Sequence, residues 1–354
     1  MARDVNHHRP PSPLPAARRF PLDESPDCQP DATVVTPPTS QSDDKTVTSI
    51  IRTPPSNFDG ITFAEAYPAR RIRWSKHDLD IHVVDAPAEG DQHGTFLLLH
   101  GEPSWSHLYA AWIPRLTAAG FRCVAPDLPG FGRSDKPTDD SWFSYERHCQ
   151  AVRLVIDELD LRNIHLVVQD WGGPIGLRQA VDTPDLFARL FIFNTWLHHD
   201  AFEYSDGLRW WHEVSADPAH LGGDMPTGDI VSGTMRRSHN LDELRRVYDA
   251  PFDGIESKAG PRAFPAMLPF ARPDVGGAEQ QQRCHEALLT WSHCPVHIAF
   301  GDSDPIFTFE QAETWSAEIP GATLDRIEGA GHFVQADAPD DCLAVISGHL
   351  RTAI

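Results

Sequence analysis

An aspartate occupies the turn of the segment 167–174, Val-Val-Gln-Asp-Trp-Gly-Gly-Pro, where an apolar run gives way to a helical pattern. A strained strand-to-helix turn of this kind lifts one side chain above the sheet, and small residues must flank it. Gly172 and Gly173 supply them on one side, whereas Val168 stands where this nucleophile-elbow pattern has a glycine. Asp170 therefore occupies the position of a nucleophile, although an aspartate before a helix can also be its N-cap.

Two later loops also follow apolar runs: Phe-Gly-Asp-Ser-Asp-Pro at 300–305 and Gly-Ala-Gly-His-Phe at 329–333. Aspartates beside proline commonly form turns, and a histidine in such a loop can be a surface residue. The three loops together, however, give the order nucleophile, acid, histidine, which is the chain order of the α/β-hydrolase triad. We predict Asp170 as the nucleophile, His332 as the base and Asp304 as the acid, with Asp302 as the alternative acid.

The elements around these loops indicate an α/β protein. Apolar runs of strand length occur at residues 79–84, 95–99, 123–125, 164–168, 190–193, 296–300 and 323–327, and helical periodicity occurs at 144–159, 174–181 and 338–350. This alternation predicts a mostly parallel sheet with helices on both faces, the α/β-hydrolase fold. Chemistry in such sheets gathers at the carboxyl ends of the strands, where all three loops lie.

The chain divides unevenly along its length. Residues 1–47 are rich in proline and polar residues, without helical or strand periodicity, so we expect a disordered extension. Residues 48–195 and 290–354 are predicted to form the α/β-hydrolase core. The long interval between the strands at 190–193 and 296–300 is too long for one crossover helix, so residues 196–289 are expected to form a helical cap.

Composition excludes several classes of function. The 354 residues carry 30 Lys plus Arg against 51 Asp plus Glu, and the net charge of −21 argues against nucleic acid or an anionic membrane as partner. No run approaches the length of a membrane-spanning helix, and the first twenty residues lack the apolar core of a secretion signal. The six cysteines show no C-x-x-C spacing, so no metal site is expected. We predict a cytoplasmic location.

An aspartate nucleophile suits attack on an sp³ carbon that carries a good leaving group. The product would be an ester on Asp170, and His332 would activate the water that hydrolyses it. Backbone N–H groups of Trp171 and Glu102 are placed to bind the oxyanion. An epoxide would need a proton from a tyrosine, whereas a halide needs only N–H donors. Ten Trp against five Tyr favours a halide, although tryptophans also serve simply as core.

These motifs resemble those of the haloalkane dehalogenases, over residue 51 to the C-terminus. The resemblance is carried by Ile-Arg-Thr-Pro at 51–54, His-Gly-Glu-Pro-Ser-Trp-Ser at 100–106, Asp-Leu-Pro-Gly-Phe-Gly-Arg-Ser-Asp-Lys-Pro at 127–137, Val-Gln-Asp-Trp-Gly-Gly at 168–173 and Gly-Ala-Gly-His-Phe at 329–333. The pairing of His-Gly-Glu-Pro with Gln-Asp-Trp-Gly-Gly is the specific part, and it indicates the subgroup with glutamate in the oxyanion loop. The proline-rich extension and Ser104 in place of threonine depart from the family.

The resemblance implies a halide site as well as the triad. Trp171 would be the first halide donor and a cap tryptophan the second, since other subgroups use an asparagine where Glu102 stands. We favour Trp211 over Trp210, and expect Pro265 and Leu268 to line the pocket. The implied substrates are a small halogenated alkane and water, giving alcohol, halide and a proton, without a cofactor.

Two rival interpretations remain open at this point. An epoxide hydrolase would share the aspartate, and Tyr204 and Tyr248 directed at Asp170 would favour it. A binding protein without turnover would be indicated by His332 lying too far from Asp304 for a hydrogen bond.

Overall fold

The computed structural model describes residues 49–68, 70–221, 223–238 and 240–354, so the predicted disordered extension 1–47 lies outside the described residues. The strands in these ranges are β1 (Ile50–Ile51), β2 (Arg70–Trp74), β3 (Leu79–Ala86), β4 (Gly94–Leu99), β5 (Phe121–Pro126), β6 (Lys136–Pro137), β7 (Ile164–Val168), β8 (Phe187–Phe193), β9 (Val296–Gly301) and β10 (Thr323–Ile327). The helices are α1 (Thr62–Ala66), α2 (Ile113–Ala118), α3 (Tyr145–Glu158), α4 (Gly172–Asp182), α5 (Asp206–Ala216), α6 (Pro218–Leu221), α7 (Thr227–Thr234), α8 (Leu241–Asp249), α9 (Ala259–Ala266), α10 (Pro273–Gly276), α11 (Ala278–Leu288), α12 (Phe309–Glu318), α13 (Val334–Asp337) and α14 (Pro339–Leu350).

Eight strands form one sheet in the order β10-β9-β8-β7-β4-β5-β3-β2. Strand β3 runs antiparallel to both of its neighbours, and the other pairs in the sheet are parallel. The mostly parallel sheet that the sequence predicts is therefore confirmed. The small strands β1 and β6 form a separate antiparallel pair.

The sheet is covered on both faces, as its sequence pattern requires. Every residue of β4, β7 and β9 is buried. Neighbouring residues of one strand enter different apolar clusters: Leu97 and Leu166 pack on one side of the sheet, whereas Phe96 and Val167 pack on the other. Because successive side chains of a strand point to opposite faces, each central strand contributes to two cores.

One strand of the large sheet differs from the sequence prediction. The prediction lacks strand β2, because Arg70, Arg71 and Arg73 interrupt its apolar pattern. The strand lies at one edge of the sheet, where charged side chains reach solvent and discourage pairing with other chains. Between β8 and β9 the described residues form only helices, α5 to α11, so the interval is helical as predicted, and its role as a cap stays a prediction.

No helix in the described part of the chain is long and apolar enough to cross a membrane.

Candidate active site

Asp170 sits in a sharp turn between β7 and α4. Its φ is +49°, a left-handed conformation that residues other than glycine adopt at a cost and that often marks functional sites. The turn is tight because α4 approaches its neighbours closely: a Cβ on Gly172 would lie 2.5 Å from the carbonyl oxygen of Leu99, and one on Gly173 would lie 1.8 Å from Oγ1 of Thr195. The two glycines therefore let strand and helix meet beneath the Asp170 side chain.

The Asp170 carboxylate accepts backbone hydrogen bonds from two sides of the turn. The N–H of Glu102 donates to Oδ1 at 2.7 Å, and the N–H of Trp171 donates to the same carboxylate. Burial raises the pKa of Asp170, while the His332 ring and these two N–H groups oppose that rise. Since both donors already bind a carboxylate oxygen, they are positioned to bind the oxyanion that forms when an ester at Asp170 is attacked.

His332 and Asp304 form the second half of the site. Nδ1 of His332 lies 2.9 Å from Oδ2 of Asp304, and Nε2 lies 3.7 Å from Oδ2 of Asp170. Burial alone would lower the pKa of His332, but the charges of Asp304 and Asp170 and the bond to Asp304 outweigh it, so the pKa is raised. At 3.7 Å, Nε2 of His332 lies beside Oδ2 of Asp170 without a hydrogen bond to it, so this oxygen is on the histidine side of the carboxylate.

The structure separates the two candidate acids. Oδ1 of Asp304 accepts the Ile306 N–H at 2.7 Å, which orients the carboxylate toward His332. Asp302 instead accepts the Gly329 N–H at 2.7 Å and lies 3.4 Å from the Arg326 guanidinium. Asp302 thus supports the start of the histidine loop, and Asp304 is the carboxylate that contacts His332.

Helix α5 carries both tryptophan candidates for the second halide donor, and they face different surroundings. Trp210 is 59% exposed. Trp211 is partly buried, packs against the core and directs its indole N–H at the carboxyl of Glu102. Adjacent helical residues point about 100° apart, so only one of the two can face the site, and it is Trp211.

Aromatic rings pack against Trp171. Trp171 is 3% exposed and packs edge-on against Trp196 and Phe264, at centroid distances of 4.9 and 5.2 Å. The predicted pocket residues Pro265 and Leu268 are both buried, one and four residues after Phe264. A cavity of about 200 Å³ lined by Thr53 and Arg133, among others, is separate from all of these residues.

Two amides of the site were missed from the sequence. Asn194 donates to Oδ2 of Asp304 at 2.8 Å and accepts the Gly301 N–H at 2.9 Å. Nε2 of Gln169 lies 3.2 Å from Nε2 of His332 and donates to the His332 carbonyl. Asn194 directly follows β8, and Gln169 directly precedes Asp170. These positions could have identified both amides as site residues, because side chains at the carboxyl ends of strands converge.

The structure does not show the features that would favour either rival interpretation. The hydroxyl of Tyr204 bonds to Nδ1 of His198 at 2.9 Å, and the Tyr248 ring packs against His107 and Phe333. The bond from His332 to Asp304 is made. Among the residues that the structure describes, no group of His, Cys, Asp and Glu side chains is arranged to hold a metal ion.

The sheet is mostly parallel, Asp170 lies at a strand-to-helix elbow, and Asp304 and His332 lie in loops that follow later strands. These features define an α/β-hydrolase, and the α/β-hydrolase fold family matches residues 94–218. A haloalkane dehalogenase of Psychrobacter cryohalolentis is 39% identical over 81% of this chain and 93% of its own length. A haloalkane dehalogenase of Mycobacterium marinum is 37% identical over 82% of this chain and 95% of its own length. The chain belongs to the haloalkane dehalogenase family.

The fold of a solved relative agrees with this assignment. The tetrameric haloalkane dehalogenase of Paraglaciecola agarilytica superposes with a TM-score of 0.76 and 32% identity, covering 84% of this chain and 98% of that one.

Proposed function

We propose that this haloalkane dehalogenase cleaves the carbon–halogen bond of a halogenated alkane through an alkyl ester on Asp170. The free oxygen Oδ2 attacks the carbon that bears the halogen, and the halogen leaves with the bonding electron pair. Oδ1 stays on the N–H of Glu102 during this step, and the N–H of Trp171 donates to the same carboxylate. The observation that carries the proposal is the buried carboxylate at the elbow, with Oδ1 held by the Glu102 N–H and Oδ2 3.7 Å from Nε2 of His332.

Hydrolysis of the ester uses the remaining half of the site. Nε2 of His332 takes a proton from water, whose oxygen adds to Cγ of Asp170, and Asp304 stabilises the resulting imidazolium. The oxyanion is bound by the backbone N–H groups of Glu102 and Trp171, which already donate to this carboxylate. Collapse releases the alcohol, which takes the proton from His332, and the remaining acid proton leaves Asp170 for solvent. The net products are alcohol, halide and a proton.

The proposed halide site consists of the indole N–H groups of Trp171 and Trp211. An indole N–H donates and cannot accept, so a pair of them suits an anion in an apolar pocket. The orientation of Trp211 toward Glu102 supports this assignment, and so does the exposure of Trp210. We assign the chain to the subgroup with His-Gly-Glu-Pro in the oxyanion loop, because Glu102 replaces the asparagine donor of the other subgroups.

The helical interval 196–289 is proposed as the cap that closes this pocket, with Pro265 and Leu268 in its lining. Trp211 in α5 and Phe264 in α9 support the proposal, since both reach residues of the core site. A cytoplasmic location stays a prediction.

The direct test is release of bromide and chloride from terminal haloalkanes of three to eight carbons. We expect release from the wild type and none from Asp170→Asn, because an amide is too poor a nucleophile for the displacement. Asp253→Asn, at an exposed position, is the matched control and should match the wild type. Equal release by the wild type and Asp170→Asn would contradict the proposal.

A further inference from the structure

Glu102 has a side chain whose surroundings the dehalogenation steps do not use. Its backbone N–H serves the oxyanion, while its carboxyl is buried, with the residue 5% exposed. Among the described residues no Lys, Arg or His pairs with this carboxyl, and Oε1 is buried without a hydrogen-bond partner. The side-chain partner it has is the neutral indole of Trp211.

These surroundings favour the protonated form of the Glu102 carboxyl. Burial disfavours the charged form, and the neighbouring charge of Asp170 disfavours it further, so the pKa of Glu102 lies well above its usual range. Burial raises the pKa of Asp170 as well, but two backbone N–H groups and His332 oppose that rise. The two buried carboxyls thus differ in their partners, since Asp170 has backbone donors and a histidine beside it whereas Oε1 of Glu102 has no hydrogen-bond partner, and such a difference separates a nucleophile from an acid.

Glu102 lies next to the nucleophile, because its own backbone N–H donates to Oδ1 of Asp170 at 2.7 Å. Trp211, the proposed donor to the departing halide, directs its N–H at this same carboxyl. The leaving atom and the Glu102 carboxyl are therefore both within reach of one indole. A departing halide needs no proton, but a departing alkoxide does.

We propose that the chain has a second activity, the hydrolysis of terminal aliphatic epoxides, in which Glu102 is the acid that protonates the ring oxygen. The proposal rests on the proposed ester mechanism at Asp170. It supplies an acid other than Tyr204, whose hydroxyl is engaged by His198.

The steps balance without an added reagent. Oδ2 of Asp170 bonds to a ring carbon, the carbon–oxygen ring bond breaks, and the oxygen takes the proton of Glu102, which leaves a hydroxyalkyl ester. Water then adds to Cγ of Asp170 with His332 as base, and the second oxygen of the diol leaves with the proton from His332. The proton that remains on the Asp170 carboxyl returns to Glu102. The sum is epoxide plus water to 1,2-diol.

The experiment compares 1,2-epoxyhexane with 1-bromohexane on the same enzyme preparations, measuring hexane-1,2-diol and bromide. We expect diol from the wild type and none from Asp170→Asn. Glu102→Gln keeps the backbone N–H and the side-chain shape but has no acidic proton. It should lower diol formation about 100-fold and bromide release by much less, so that the diol-to-bromide ratio falls at least about tenfold. The exposed Glu256→Gln is the matched control and should keep the wild-type ratio.

The possible failures are distinguishable. Bromide without diol in the wild type overturns the epoxide activity and leaves the proposed function standing. Diol with an unchanged ratio in Glu102→Gln overturns the role of Glu102 as the acid. Absence of both products overturns the proposed function together with this inference. Turnover of the epoxide in heavy-oxygen water should also place the label in the Asp170 carboxyl, and an unlabelled Asp170 peptide would overturn the ester route.

Discussion

The side-chain amide of Asn194 donates a hydrogen bond of 2.8 Å to Oδ2 of Asp304, the same oxygen that faces Nδ1 of His332. With that donor and the Ile306 N–H in place, the Asp304 carboxylate is held at both oxygens before it meets His332. The proposed acid is therefore held by neighbours that follow two different strands, which orients its carboxylate toward His332.

The two candidate acids should respond very differently to amide substitution. Asp304→Asn places an amide donor against Nδ1–H of His332, and we expect steady-state halide release to fall roughly 10²- to 10⁴-fold. Asp302→Asn should stay within about threefold of the wild type, because an asparagine oxygen can still accept the Gly329 N–H. Steady-state bromide release from 1-bromobutane measures both. A larger loss in Asp302→Asn than in Asp304→Asn would reverse the assignment.

Removal of the base should stop the reaction after its first half. In His332→Gln the displacement by Asp170 can proceed, but no group takes the proton from the hydrolytic water. We expect a burst of about one halide per active site, followed by little turnover, and an Asp170 peptide heavier by the alkyl group in its mass spectrum. Glu279→Gln, at an exposed site on α11, should turn over normally. Sustained turnover by His332→Gln would exclude His332 as the base.

The pH dependence should differ between kcat and kcat/KM. Protonated His332 cannot accept a proton from water, so kcat should fall as the pH drops through the pKa of this histidine. The charge of Asp170 raises that pKa in the free enzyme, but the ester has no such charge. The acid limb of kcat should therefore lie below the pKa of His332 that NMR titration finds in the free enzyme. An acid limb of kcat at or above that pKa would contradict the ester intermediate.

Two glycines in helices provide a matched test of the elbow. Gly173→Ala would place a methyl group 1.8 Å from Oγ1 of Thr195, and we expect a loss of about 1–3 kcal/mol in stability together with lower activity. Gly348→Ala, in α14, meets nothing within 4 Å and should gain about 0.5–1 kcal/mol. Urea unfolding midpoints and halide release report both effects. Equal stability of the two variants would contradict the close approach of α4 to Thr195.

The sequence was sufficient to predict the sheet and the three site loops for one physical reason. Parallel strands buried on both faces are continuous apolar runs, and their carboxyl ends share one edge of the sheet. Asp170, Asp304 and His332 could therefore be placed from local pattern and chain order alone.

The remaining contacts depend on information that no local pattern holds. Asn194 reaches Asp304 only because β8 pairs with β9 in a particular register, and an isolated asparagine has no motif. The choice of Trp211 over Trp210 depends on the rotation of α5 relative to Glu102. The orientation of the Glu102 carboxyl toward Trp211 likewise follows from tertiary packing, not from the His-Gly-Glu-Pro motif.

Strand β10 is the outermost strand of the sheet and pairs with β9 alone. The loop that carries His332 leaves this strand, whereas Asp170 follows β7 in the middle of the sheet. Edge elements open locally at a lower free energy than central ones. On heating, the base would thus be displaced while the nucleophile is still in place, and a warmed enzyme exposed to substrate would trap itself as the alkyl ester before it unfolds.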